Sequence, residues 1–105
     1  MLERLKKEVF EANLQLVQEK LVIQTWGNVS GIDREQNLVV IKPSGVPYHK
    51  LKARDMTVVN MNGEIVEGDL KPSVDLRIHL AIYQNIPDSF SVVHTHSHFA
   101  TCWAQ

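Results

Sequence analysis

Thr25-Trp26-Gly27-Asn28-Val29-Ser30-Gly31-Ile32-Asp33, then Arg34-Glu35-Gln36-Asn37, then Leu38-Val39-Val40-Ile41-Lys42-Pro43 is the stretch that decides the fold. Two β-prone runs around four polar residues predict an antiparallel hairpin. Gly27-Asn28 interrupts the first run, and a Gly within a strand marks a bulge or a close approach to the backbone. Downstream, Met56-Thr57-Val58-Val59-Asn60-Met61 and Glu64-Ile65-Val66-Glu67 flank Asn62-Gly63, which predicts a second hairpin. Upstream, Leu2, Leu5, Val9, Ala12 and Leu16 recur at three- and four-residue spacing, the pattern of an amphipathic helix over roughly the first 20 residues. Its apolar stripe needs a sheet to cover.

A second helix is predicted after Lys71-Pro72, with Ser73 as N-cap and Leu76, His79, Leu80 and Tyr83 on one face. Phe90-Ser91-Val92-Val93 then starts a strand, bounded upstream by Asn85, Pro87 and Asp88. It leads into His94-Thr95-His96-Ser97-His98, and Ser97 can cap a further short helix. Residues two apart on a strand share a face, so His94 and His96 would point the same way. Neutral imidazole is a common ligand for Zn²⁺, and two such ligands need at least one more from elsewhere. Two exposed histidines at a strand end are the plainer alternative.

Three other places carry chemistry. Lys42-Pro43-Ser44-Gly45 is a tight turn that leaves backbone N–H groups free to meet a phosphate. The start of the second helix offers N–H groups and the positive end of its dipole to an anion. Asp75 lies in that first turn, where it complements the dipole or stands as a carboxylate beside an anion site. His79, one turn on, is either a ligand or a partnered histidine inside the fold.

Composition narrows the classes. The chain has 105 residues, 44% of them hydrophobic and 22% charged, with a net charge of -1. That fits one small domain spanning 1–105, with no nucleic-acid footprint and no attraction to an anionic membrane. No apolar run approaches the ~20 residues needed to span a bilayer, and the charged N-terminus lacks the apolar core of a signal peptide. A single cysteine, Cys102, rules out an internal disulfide and fits a reducing cytoplasm.

Thr25-Trp26-Gly27-Asn28-Val29-Ser30, Lys42-Pro43-Ser44-Gly45, Pro72-Ser73-Val74-Asp75 with His79, and His94-Thr95-His96-Ser97 together resemble the class II aldolase/adducin-type family. Within it they are most similar to the L-ribulose-5-phosphate 4-epimerase branch. The resemblance implies an α/β fold of three α-β-α layers around a largely antiparallel central sheet, here truncated. It implies a divalent cation, usually Zn²⁺, and a phosphorylated ketopentose from pentose or ascorbate catabolism. It also implies a homo-oligomer, a tetramer in the family. The implied reaction is retro-aldol cleavage to an enediolate and glycolaldehyde phosphate, then re-addition with inversion at the fourth carbon. An enediolate is anionic, which explains why a Lewis acid is wanted. By position, His94, His96 and Asp75 match the metal site. Gly27, Asn28, Ser44, Gly45, Ser73 and Val74 match the stretches that hold substrate and phosphate. Lys42, with Asp75, takes a catalytic place.

The chain departs from the family pattern where Val74 replaces a second Ser and Leu76 replaces a Thr. The family's third histidine, its acid/base residue and a Tyr come from segments beyond position 105. The expectation is therefore a truncated form that turns over little substrate by itself. The alternatives are a catalytically inactive metal- or phosphate-binding domain, and a sugar-phosphate aldolase or dehydratase of the same family. Asp rather than Glu at position 75, with the Thr-Trp-Gly-Asn-Val-Ser wording, favours the epimerase.

Overall fold

A computed structural model describes residues 2–19 and 27–94. Helix α1 spans Glu3–Gln18, and the first hairpin joins β1 (Asn28–Asp33) to β2 (Leu38–Ile41). Short 3-10 turns at Tyr48–Lys50 and Ala53–Asp55 lead to the second hairpin, β3 (Thr57–Asn60) and β4 (Ile65–Glu67). Helix α2 (Leu76–Asn85) then crosses to β5 (Ser91–His94). The described strands form one sheet in the order β4-β3-β2-β1-β5, and every adjacent pair is antiparallel.

Strand periodicity divides the core into two layers. Leu38, Val40 and Val58 face one side, where they pack with Val9, Leu51 and Met56. Val39, Val59, Ile32 and Val92 face the other side, against Leu80 and Tyr83 of α2. Strand β2 is covered on both faces, so all four of its residues are buried and it reads as an unbroken apolar run. The expected three-layer α/β architecture is what forms.

Some local expectations shift. Strand β1 begins at Asn28, so Gly27 stands just before it with a left-handed φ of 81° rather than inside the strand. The buried stripe of α1 is Lys6, Val9, Asn13 and Leu16, which includes two polar residues that hydrophobic periodicity passes over. Lys6 reaches Glu67 Oε2 at 2.9 Å, tying α1 to β4. Ser73 is not the residue that caps α2; Asp75 occupies that place, and Ser73 Oγ accepts from the Asp75 backbone N–H at 3.2 Å.

Both ends of α2 are held. At the C-terminal end, Arg34 donates to the carbonyls of Tyr83, Ile86 and Ser89 at 3.1, 3.0 and 2.7 Å, satisfying acceptors that a helix end leaves open. At the N-terminal end, the Ser44 N–H donates to the Lys71 carbonyl at 2.8 Å, and the Ser73 N–H to the Lys42 carbonyl at 2.9 Å. These two bonds pin the loop before α2 to the end of β2.

Asn13 links α1 to β1. Its Nδ2 donates to the Val29 carbonyl at 3.0 Å and its Oδ1 accepts from the Val29 N–H at 2.9 Å, so one carboxamide does what a neighbouring strand residue would do. Asn13→Leu leaves both groups of the buried Val29 without partners, each costing about 1–3 kcal/mol. We expect a loss of about 3 kcal/mol, read as a lower urea midpoint with an unchanged slope. A midpoint within error of the parent refutes the assignment.

Candidate functional site

The start of β1, the end of β2, the end of β5 and the start of α2 meet at one rim of the sheet. In the β1–β5 ladder Asn28 sits directly opposite His94, so their side chains share a face. Asn28 Nδ2 donates to Ser73 Oγ at 2.8 Å and to Asp75 Oδ2 at 3.0 Å. The same Asp75 Oδ2 lies 3.0 Å from His94 Nδ1. Residues 28, 73, 75 and 94 thus form one connected cluster. Asn28 and Ser73 are buried, whereas the Asp75 and His94 side chains keep 20% and 23% exposure; solvent reaches the carboxylate and the imidazole but not their support.

One pleat deeper on the same strand face, Ser30 Oγ bonds His79 Nδ1 at 2.6 Å and the Tyr83 hydroxyl at 2.7 Å. His79 has no exposed surface. Burial lowers its pKa from 6.5 to about 4, because a charged imidazolium loses its hydration there. Of the two possibilities for His79, the structure shows the partnered histidine. Tyr83 is pushed up to about 12, again by burial.

The turn residues lie alongside. Ser44 and Gly45 are exposed, and Gly45 adopts a left-handed φ of 74° with open space around it. The backbone bonds to Lys71 and Ser73 set this turn against the α2 start. Gly27 is fixed from below, its carbonyl accepting the Tyr48 hydroxyl at 2.6 Å. Val74, between the two inward-facing residues of the cluster, points to solvent with 86% exposure. Lys42 does not join Asp75: its buried ammonium donates to the Pro43 carbonyl at 3.2 Å and sits 5.0 Å from the Tyr48 ring. Burial lowers its pKa. His96 and Ser97 lie outside the described residues, as do Thr25 and Trp26.

Residues 7–105 match the Class II Aldolase and Adducin N-terminal domain. The chain belongs to that family. Among solved structures, this class II aldolase-type chain is similar to an L-fuculose 1-phosphate aldolase, with 36% identity and a TM-score of 0.86. That match covers 94% of this chain and 47% of the other. It is also similar to YgbL from Klebsiella pneumoniae, a protein provisionally described as an aldolase/epimerase/decarboxylase, with 30% identity and a TM-score of 0.83. That match covers 97% of this chain and 49% of the other. The chain thus spans about half the length of the structures it matches. YgbL from Escherichia coli is similar at 29% identity and a TM-score of 0.83, over 95% of this chain and 47% of the other. Among the described residues no group of three or more His, Cys, Asp or Glu converges, and no helix is long and apolar enough to cross a membrane.

Sequence reasoning assigns no partner to Ser30 or Tyr83, although it names both, and it passes over Tyr48. The signals were present: Ser30 is two residues from Asn28 on one strand, and Tyr83 is one turn from His79 on one helix face. A hydroxyl at each of these apolar-layer positions needs a partner, and each finds one.

The His79 environment sets a pH dependence. Its folded-state pKa lies below the unfolded value, so the unfolded chain binds the extra proton between about pH 4 and 6.5. This contribution is complete above pH 6.5 and fades as pH falls toward 4, by up to about 1.4 kcal/mol per pH unit. Urea unfolding of wild type and His79→Gln should therefore give curves whose difference shrinks through that window. A difference that stays constant from pH 7 to pH 4 contradicts this.

Proposed function

We propose that this rim is the working half-site of a divalent-metal-dependent L-ribulose-5-phosphate 4-epimerase. One observation carries the reading: Asp75 Oδ2 lies 3.0 Å from both Asn28 Nδ2 and His94 Nδ1. A carboxylate and an imidazole, both partly exposed and brought together from two elements, are a donor set that suits Zn²⁺. Asp75 and His94 are the two described residues that match the family's metal site, and they would hold the cation together. His96, two positions further along the sequence and outside the described residues, would complete the set. When bound, the cation supplies Lewis-acid polarisation of the substrate's carbonyl and hydroxyl oxygens.

The chain's own groups bind and orient. The exposed Ser44–Gly45 turn and the α2 start at Ser73–Val74 offer hydroxyl and backbone N–H donors to a phosphate. Gly27, held by Tyr48, lets the substrate approach the backbone beside Asn28. Lys42 supports this as a buried positive charge behind the turn, with no carboxylate beside it among the described residues. The substrate class is a phosphorylated ketopentose, and the 105-residue span functions within a homo-oligomer in the cytoplasm. Asp75, one methylene shorter than Glu, favours the epimerase among the family's reactions.

A second reading, a sugar-phosphate aldolase, is favoured by the 36% identity to L-fuculose 1-phosphate aldolase. The two readings share the site and differ in whether the aldehyde is released.

A coupled assay for D-xylulose 5-phosphate formed from L-ribulose 5-phosphate tests the epimerase. Turnover should vanish with a chelator and return with Zn²⁺. His94→Ala should lower zinc retention and activity by about 10²-fold or more. Free aldehyde accumulating in place of xylulose 5-phosphate selects the aldolase, and equal zinc content in wild type and His94→Ala removes the metal assignment.

A further inference from the structure

The polar chain beneath the rim has a direction. Tyr83 and Ser30 each carry one hydroxyl hydrogen, and Ser30 Oγ contacts both the Tyr83 hydroxyl and His79 Nδ1. In one arrangement Tyr83 donates to Ser30, and Ser30 donates to Nδ1. Both hydroxyl hydrogens are then used, and only the Nε2–H of His79 stays unpaired. In the reverse arrangement Nδ1–H donates to Ser30 and Ser30 donates to Tyr83. That leaves the buried Tyr83 hydrogen without an acceptor and Nε2 as a bare acceptor. Among the described residues, the buried Nε2 has no hydrogen-bond partner in either case. The first arrangement strands one group and the second strands two, so the first is favoured. The ring has no exposed surface, and in its neutral form these partners favour one tautomer.

The same three residues fix a distance. Ser30 belongs to β1 and lies two residues from Asn28 on one face, while His79 and Tyr83 belong to α2, one and two turns after Asp75. Their two bonds are cross-layer ties between the strand that carries Asn28 and the helix that begins at Asp75.

We propose that Tyr83, Ser30 and His79 form a directed hydrogen-bond chain that holds His79 as the Nε2–H tautomer and positions Asp75 against Asn28 and His94. The claim of positioning rests on reading Asp75 and His94 as the working centre. These are positioning residues, since none of them reaches the exposed edge of the cluster.

The test uses ¹⁵N-labelled protein with the variants Ser30→Ala, Ser30→Thr and Tyr83→Phe. Long-range ¹H–¹⁵N correlations should show His79 with a protonated Nε2 and a lone pair on Nδ1. A protonated Nδ1 overturns the directed chain. Ser30→Ala should move the His94 and Asp75 resonances while leaving those of the β3–β4 hairpin in place. Zinc affinity should fall by about tenfold and kcat by about ten- to a hundredfold, with KM nearly unchanged, and Ser30→Thr should restore both. If Ser30→Ala and Tyr83→Phe lower the urea midpoint yet leave the His94 resonance, zinc affinity and kcat at wild-type values, the positioning role is refuted. If wild type binds no zinc, the functional reading fails by itself. The tautomer and the resonance shifts then still decide the chain.

Discussion

Two backbone hydrogen bonds organise the rim. Pro43 and Pro72 face each other as an isolated antiparallel bridge, yet neither proline has an N–H to donate. The flanking residues supply the donors, Ser44 to Lys71 and Ser73 to Lys42. That contact forces the chain, after leaving the far edge strand β4, to return past β2 before α2 can start. Helix α2 therefore begins beside β1 and β5 rather than beside the hairpin it follows. Asn28, His94 and Asp75 meet because of that return.

The rim is expensive compared with the sheet it caps. At mid-sheet, Val39, Val40, Val58 and Val59 have no exposed surface, and apolar burial stabilises without any need for partners. At the rim the buried residues are Asn28, Ser30, Lys42, Ser73 and His79. Burying polar groups costs free energy unless each is bonded, and apolar side chains of similar size would avoid the cost. Among the described residues, Asn28 Oδ1 and His79 Nε2 are buried without hydrogen-bond partners. Lys42 gives up hydration for one carbonyl and the face of Tyr48, a weaker return than a carboxylate would give. Costly buried groups are thus concentrated at one end of an otherwise aliphatic sheet, which supports the reading of that end as a site.

Much of this was legible in the sequence, and the boundary is physical. Both hairpins, the two helices and the strand to His94 follow from periodicity and from the Asn62-Gly63 turn, because these signals are local. The antiparallel three-layer sheet needed the resemblance, since no local signal orders β5 beside β1. Ser73 was read as a cap because Ser before an apolar periodic run normally is one. Tertiary pairing to Lys42 and Asn28 gave it another task and moved the helix start to Leu76. Lys6 and Asn13 were passed over because periodicity counts only apolar residues, while α1 buries one ammonium against Glu67 and one carboxamide against Val29. The pairing of Ser30 with Tyr83 is illegible for a different reason: it spans 53 positions and exists only once α2 lies across β1.

Val74 shows how much of the site is backbone. The family pattern has a second Ser there, and this chain has a side chain in open solvent. Its neighbours are nevertheless fixed on both sides: Ser73 through its N–H to Lys42 and its hydroxyl to Asn28, and Asp75 through its N–H to Ser73 Oγ and its carboxylate to Asn28. With both neighbours held, the peptide of residue 74 has little freedom to move, whatever its side chain. Replacing Ser by Val removes one hydroxyl donor and leaves the amide where the fold puts it. An exposed valine at that position is consistent with recognition carried by main-chain N–H groups, which any residue except proline supplies. The side chains that hold this main chain in place are Asn28, Ser73 and Asp75.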